Sequence, residues 1–136
     1  MKKILTILFL ISAASWLGSC TRTNETLHTL TGTYAGTFDR YQWKDGGATT
    51  VHISFTESGF SGGSDSSGFP LICAGTYNIS VDSILFVNSC DYAPGTDMTR
   101  VLNGKYTFVE KGDSLFIRRV YGDFVYQEDV YRLRKQ

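Results

Sequence analysis

Residues 30–136 predict an all-β fold, an up-and-down antiparallel barrel of about eight strands. Three observations lead there. No segment after Leu30 sustains a helical repeat of apolar residues; short runs alternating with period two follow one another instead. Turn chemistry separates the runs, at Lys44-Asp45-Gly46-Gly47, Asn103-Gly104, Lys111-Gly112 and Gly122-Asp123. Most runs lie close enough in sequence to pair as hairpins, which favours a barrel over a sandwich, because closure removes exposed edges.

A leader precedes this body. Met1-Lys2-Lys3 supplies a positive start, Ile4 to Ile11 is apolar except for Thr6, and the small residues Ser12 to Ser15 follow. This is the layout of an export signal helix, too short to span a bilayer stably. Leu17-Gly18-Ser19-Cys20 then resembles the lipobox of bacterial lipoproteins: an aliphatic residue, two small ones and the cysteine that is acylated. The resemblance implies a signal peptide over 1–19, lipid attachment at Cys20, a tether over 20–29 and a folded domain over 30–136. It places the chain in a bacterial cell envelope, anchored at the outer membrane, with the periplasmic and the surface face both open. Three acyl chains, at about 0.8 kcal/mol per buried methylene, make such attachment effectively permanent. Thr21 to Thr29 is polar and, fully extended at about 3.3–3.6 Å per residue, holds the domain at most some 30 Å from the lipid. His28 reads as a solvated residue of this tether.

Of the 13 basic and 13 acidic residues, two lysines and no acid fall in 1–19, which leaves residues 20–136 with 11 against 13, a net −2. Neither a general nucleic-acid footprint nor a polybasic membrane patch follows from that balance. Basic residues thicken near the end, at Arg118, Arg119, Arg132, Arg134 and Lys135, but Asp123, Glu128 and Asp129 interleave them, as on a solvated face. The three cysteines divide as one plus two: Cys20 for the lipid, Cys73 and Cys90 for a disulfide outside the reducing cytosol.

The first strand starts at Thr31 and runs through Phe38 to Trp43. Thr49 to Glu57 alternates cleanly, with Val51, Ile53 and Phe55 inward and His52, Ser54 and Thr56 outward. Ser58 to Gly68, with almost no large side chain to bury, reads as a mobile loop at the mouth of a cavity. In the next hairpin, a turn at Ser80–Ser83 sets Ile79 opposite Ile84, Tyr77 opposite Phe86, Gly75 opposite Asn88 and Cys73 opposite Cys90. One register satisfies both the apolar and the cysteine match, and a one-residue slip destroys both. Asp91 to Met98 is a loop. Thr99 to Glu110 reads as a strand broken at Asn103-Gly104, and pairing Glu110 with Asp113 sets Phe108 opposite Leu115 and Tyr106 opposite Ile117. The last hairpin turns at Gly122-Asp123. Aligning Leu115 with Tyr131 and Val120 with Val125 together requires a β-bulge between Tyr126 and Asp129. Tyr131 and Leu133 point into the core.

Leu30-Thr31-Gly32-Thr33-Tyr34, Phe55-Thr56-Glu57-Ser58-Gly59-Phe60, Cys73-Ala74-Gly75-Thr76-Tyr77 and Gly112-Asp113-Ser114-Leu115 resemble small bacterial lipocalin-like lipoproteins. The lipocalin hallmark Gly-x-Trp on the first strand is here Gly32-x-Tyr34. The resemblance implies a β-barrel binding domain without a cofactor.

No catalytic constellation assembles. Residues 20–136 hold two histidines, one in the tether and one facing outward, and no cysteine remains for nucleophilic work. Metal spacings such as Cys-x-x-Cys are absent. The chain therefore reads as non-catalytic. Phe55, Tyr77, Phe86, Tyr106, Phe108 and Ile117 fall on inward faces and are the candidate lining for a small hydrophobic ligand, since eight-stranded barrels can hold one such molecule; the competing reading is that these side chains simply fill the barrel. The alternative is an envelope protein partner, including an inhibited enzyme, met by the Ser58–Gly68 and Asp91–Met98 loops and by Tyr41, Trp43, Tyr92 or Tyr121. Asp82-Ser83-Ile84 and Asp113-Ser114-Leu115 also resemble a short bacterial O-glycosylation signal, although turn chemistry accounts for both.

Overall fold

The structure, a computed structural model, describes residues 28–42, 47–66, 68–122 and 127–136. The leader, Cys20, most of the tether and Trp43 lie outside them. Eight strands run in order: β1 Gly32–Gln42, β2 Thr49–Phe55, β3 Gly59–Ser64, β4 Ala74–Ile79, β5 Ser83–Asn88, β6 Gly104–Lys111, β7 Ser114–Tyr121 and β8 Gln127–Lys135. Each pairs antiparallel with its sequence neighbour, and β8 returns to β1, so the barrel is closed. It is all-β and up-and-down, consistent with a lipocalin-like fold. Every strand finds both neighbours within 32–135, and the core runs from Leu30 to Leu133, so this stretch completes its own interior.

Period two decides the faces. On β2, Val51, Ile53 and Phe55 are buried while His52 is exposed. The β4–β5 register is as read from the sequence, with Ile79 opposite Ile84, Tyr77 opposite Phe86 and Gly75 opposite Asn88. Cys73 and Cys90 form a disulfide just past the ladder, Cα atoms 6.4 Å apart. Closing a loop of this length stabilises by roughly 3 kcal/mol. We expect reduction to lower the melting temperature by roughly 10–20 °C for a domain of this size, read by circular dichroism with and without a reductant; an unchanged melt refutes the stabilising role.

Four expectations are corrected. Ser58–Gly68 is not a loop: Gly59–Ser64 is strand β3, with Phe60 in the core. Its glycines are there for close approach, because a Cβ on Gly62 would lie 2.2 Å from the His52 carbonyl oxygen. In Thr99–Glu110, the first part is a 3-10 turn, Met98–Arg100, capped by the Asp97 side chain accepting from the Thr99 amide; the strand starts at Gly104. The β6–β7 hairpin turns one residue later than expected, at Gly112-Asp113, where Gly112 takes φ +57°, suited to a two-residue turn. Phe108 therefore faces Ile117 and Glu110 faces Leu115, a shift of two that leaves every face unchanged.

The fourth correction is the last hairpin. Leu115 pairs with Leu133 and Ile117 with Tyr131, and the ladder runs unbroken to Tyr121 opposite Gln127. A connection over 122–126, longer than the two-residue turn assumed, aligns the apolar rows without a bulge at Gln127–Asp129; Tyr126 lies outside the described residues. Tyr131 and Leu133 are buried, as the alternation requires.

Candidate functional site

The two ends of the barrel differ. At one end the connections are short, 56–58, 80–82 and 112–113. There Leu30 is buried, and its amide and carbonyl both bond the Tyr77 hydroxyl, at 3.0 and 2.9 Å. His28 is no free tether residue: its Nε2 lies 2.8 Å from Glu110 Oε2 and its ring stacks on Phe108 at 6.0 Å. The hydroxyl of Tyr34 donates to the same carboxylate. Burial pushes the Tyr34 phenol up to about 12, with Glu110 reinforcing the shift. This is the sealed end.

The opposite end collects the long connections. Segment 68–73, stapled to Cys90, folds across it, and Leu71 bridges to Val101. Ile72, Val101 and Leu102 are buried beneath.

Between the ends, all six expected lining residues face inward. Phe55, Tyr77, Phe86, Tyr106 and Ile117 are buried, and Phe108 packs half-buried at the sealed end. They meet one another: Phe55 lies 5.3 Å from Tyr77 and 6.3 Å from Phe86, and Phe86 lies 5.7 Å from Tyr106. Tyr106, Tyr131 and Phe38 continue the chain at 6.2 and 4.7 Å. Centroid spacings of this size are those of rings in edge or tilted contact. These side chains spend their surface on each other.

Beneath the covered end lies inward charge, including Asp129 and Arg119, which the interleaved charges near the end of the sequence place on a solvated face. Arg40 and Asp129 pair at 2.5 and 2.7 Å, with side chains only 13% and 3% exposed. The Tyr121 hydroxyl donates to Asp129 at 2.9 Å, and Arg40 donates to the Thr99 carbonyl at 2.6 Å while lying over Phe69 and Tyr121. Arg119 also points inward, over Tyr121 at 4.4 Å and Tyr106 at 5.5 Å. Its Nη1 donates to the Asn103 carbonyl at 2.7 Å, and among the described residues no carboxylate pairs with it. Desolvation raises the Tyr106, Tyr121 and Tyr131 phenols, so all three stay neutral donors at physiological pH.

Beside Arg119 the wall opens. The β6–β7 ladder stops at Thr107 opposite Arg118, although both strands continue to Gly104 and Tyr121. A cleft of about 300 Å³ lies there, lined by Lys105, Tyr106, Thr107, Arg118, Arg119 and Val120. Arg118 pairs with Glu128. Three cations around an aromatic and an aliphatic side chain suit a small molecule with an acidic group.

Other features of the sequence fall elsewhere. Tyr41 takes the Arg132 guanidinium and Tyr92 the Asn88 amide, both half-buried. Ser83 is buried, whereas Ser114 is exposed. No Gly-x-Ser-x-Gly elbow is read from the sequence, yet those letters stand at Gly59–Gly63. A nucleophile elbow needs a sharp strand-to-helix turn; Ser61 instead stands mid-strand, between Ser54 and Ala74. No group of three metal-ligating side chains stands together among the described residues. No protein-family model, curated protein or solved structure matches the chain.

Proposed function

We propose that this chain is a lipid-anchored, non-catalytic binding barrel of a bacterial envelope, lipocalin-like in architecture, which takes a small ligand with an apolar body and an acidic head in the cleft of its β6–β7 wall. The observation that carries the reading is the β6–β7 cleft, with Arg119 at its base and no carboxylate on that guanidinium. Rings of the aromatic interior pack on one another, so the proposed ligand site is the wall cleft, which takes Tyr106 from the six expected residues. Cys20 supplies the anchor.

Two measurements test the reading. Intact mass of material from the native envelope is expected to show a chain beginning at an acylated Cys20; an unmodified amino terminus on secreted protein removes the anchor. Titration with an anionic fluorescent amphiphile is expected to saturate at one site, and Arg119→Gln to weaken it about tenfold, in line with loss of a charge-assisted hydrogen bond. Non-saturating uptake, or equal affinity of the folded variant, refutes the site.

A further inference from the structure

A second region of the outer wall carries unpartnered chemistry, in the half of the barrel nearer the sealed end. The register sets two rows of outward side chains across four strands. One row is Val109, Phe116, Arg132 and Thr37; the next is Lys111, Ser114, Arg134 and Ala35. Between them runs a shallow groove of about 420 Å³ with an apolar floor. Val109 is 61% and Phe116 37% exposed, and the register sets them side by side. Lys111, Arg132 and Arg134 rim the groove, and no acid lines it. Arg132 is paired with Asp39 at 2.6 Å and lies 6.0 Å from the Phe116 ring. Lys111 and Arg134 have no carboxylate within ion-pair distance among the described residues.

Where the chain leaves the described structure bears on what covers this groove. His28 is clipped to Glu110 and Phe108 on β6, the residues alternating with Val109 and Lys111. His28 touches the inward-facing side chains of that strand at the sealed end. Seven residues separate Cys20 from His28, a reach of about 25–29 Å at full extension. The end of β6 that His28 touches, whose outward side chains wall the groove, thus lies within one tether length of Cys20.

We infer that this groove rests on an anionic bilayer surface, with Val109 and Phe116 at the headgroup boundary and Lys111, Arg132 and Arg134 meeting lipid phosphates. The placement rests on the reading of Cys20 as the anchor; the chemistry of the face does not. The turns at the sealed end carry exposed Glu57, Asp82 and Asp113 beside exposed Lys111 and Lys135, whereas no acid lines the groove, so an acidic surface favours this side. The domain then lies with its β6–β7–β8 wall on the membrane.

Sedimentation of the anchor-free chain, residues 21–136, with lipid vesicles tests this apart from Cys20. Circular dichroism first establishes that the barrel is intact. Binding is expected to vesicles containing phosphatidylglycerol, to weaken with added salt, and to be much poorer on pure phosphatidylcholine. Loss of one cation costs about fivefold, so Lys111→Glu with Arg134→Glu is expected to weaken binding more than twentyfold. Val87→Ser, at an exposed position of β5 that lines neither the cleft nor the groove, leaves it unchanged. Failure to sediment with acidic vesicles, equal binding to both lipids, or wild-type binding by the double variant overturns the inference. So does a dimer in analytical ultracentrifugation that the double variant dissociates, since the groove then belongs to a second copy. Failure of Cys20 acylation is read separately, from the mass of the amino terminus.

Discussion

Asp129→Ala is expected to destabilise the barrel by about 3–5 kcal/mol, the usual cost of leaving one member of a buried ion pair alone. The whole stability of a domain this size is about 5–15 kcal/mol. The reason is local. Asp129 holds both nitrogens of the Arg40 fork and receives the Tyr121 hydroxyl, all within 2.5–2.9 Å. Without it, a guanidinium enclosed by Phe69 and Tyr121 keeps neutral acceptors, the Thr99 carbonyl and hydroxyl and the Gln127 amide oxygen, and no counter-charge. Replacing both partners by apolar side chains, Arg40→Met with Asp129→Leu, is expected to cost far less, because no charge then remains to be desolvated. Urea denaturation of the two variants decides. A single variant within about 1 kcal/mol of wild type shows that water reaches Arg40 and that the pair is not buried in solution.

Alkali is expected to unfold the barrel well before the backbone is otherwise affected. Tyr34, Tyr77, Tyr106 and Tyr131 are all buried, and desolvation raises each phenol above its ordinary value of 10. Below pH 10 the folded and unfolded chains hold the same phenolic protons and these groups give no pH dependence. Above it the unfolded chain releases protons that the folded barrel retains, so stability falls as pH rises. The slope is about 1.4 kcal/mol per pH unit for each such phenol. For Tyr34 the fall continues to about pH 12. The other three add to the slope from pH 10 upward, so stability is expected to fall steeply in alkali. Tyrosinate absorbance should then rise in step with the loss of β-sheet circular dichroism. Smooth ionisation from pH 10 onward, with the sheet intact, contradicts the burial of these hydroxyls.

Much of the fold was legible because strand patterning is a local property. Val51, Ile53 and Phe55 alternate with polar residues, and no distant contact is needed to know that they share a face. The β4–β5 register was legible because the apolar pairs and Cys73/Cys90 obey the same constraint. Where a single constraint stood alone, the reading slipped. The β6–β7 hairpin was placed two positions away, an error invisible to the faces, and β7–β8 was given a bulge to compensate for a turn taken as too short. The β3 glycines read as a loop because composition cannot distinguish a flexible glycine from one that lets two backbones approach.

By itself, then, the sequence determined the barrel class, the inward set of Phe55, Tyr77, Phe86, Tyr106, Phe108 and Ile117, and the Cys73–Cys90 link. Each follows from side-chain alternation and short-range pairing. Only the tertiary structure decided that those rings contact one another, that Arg119 turns inward, and that Arg40 meets Asp129 across 89 positions of chain. These depend on β8 closing against β1 and on where the β6–β7 ladder ends. Both are set by the shear and closure of the whole barrel, a global condition that no stretch of sequence carries alone.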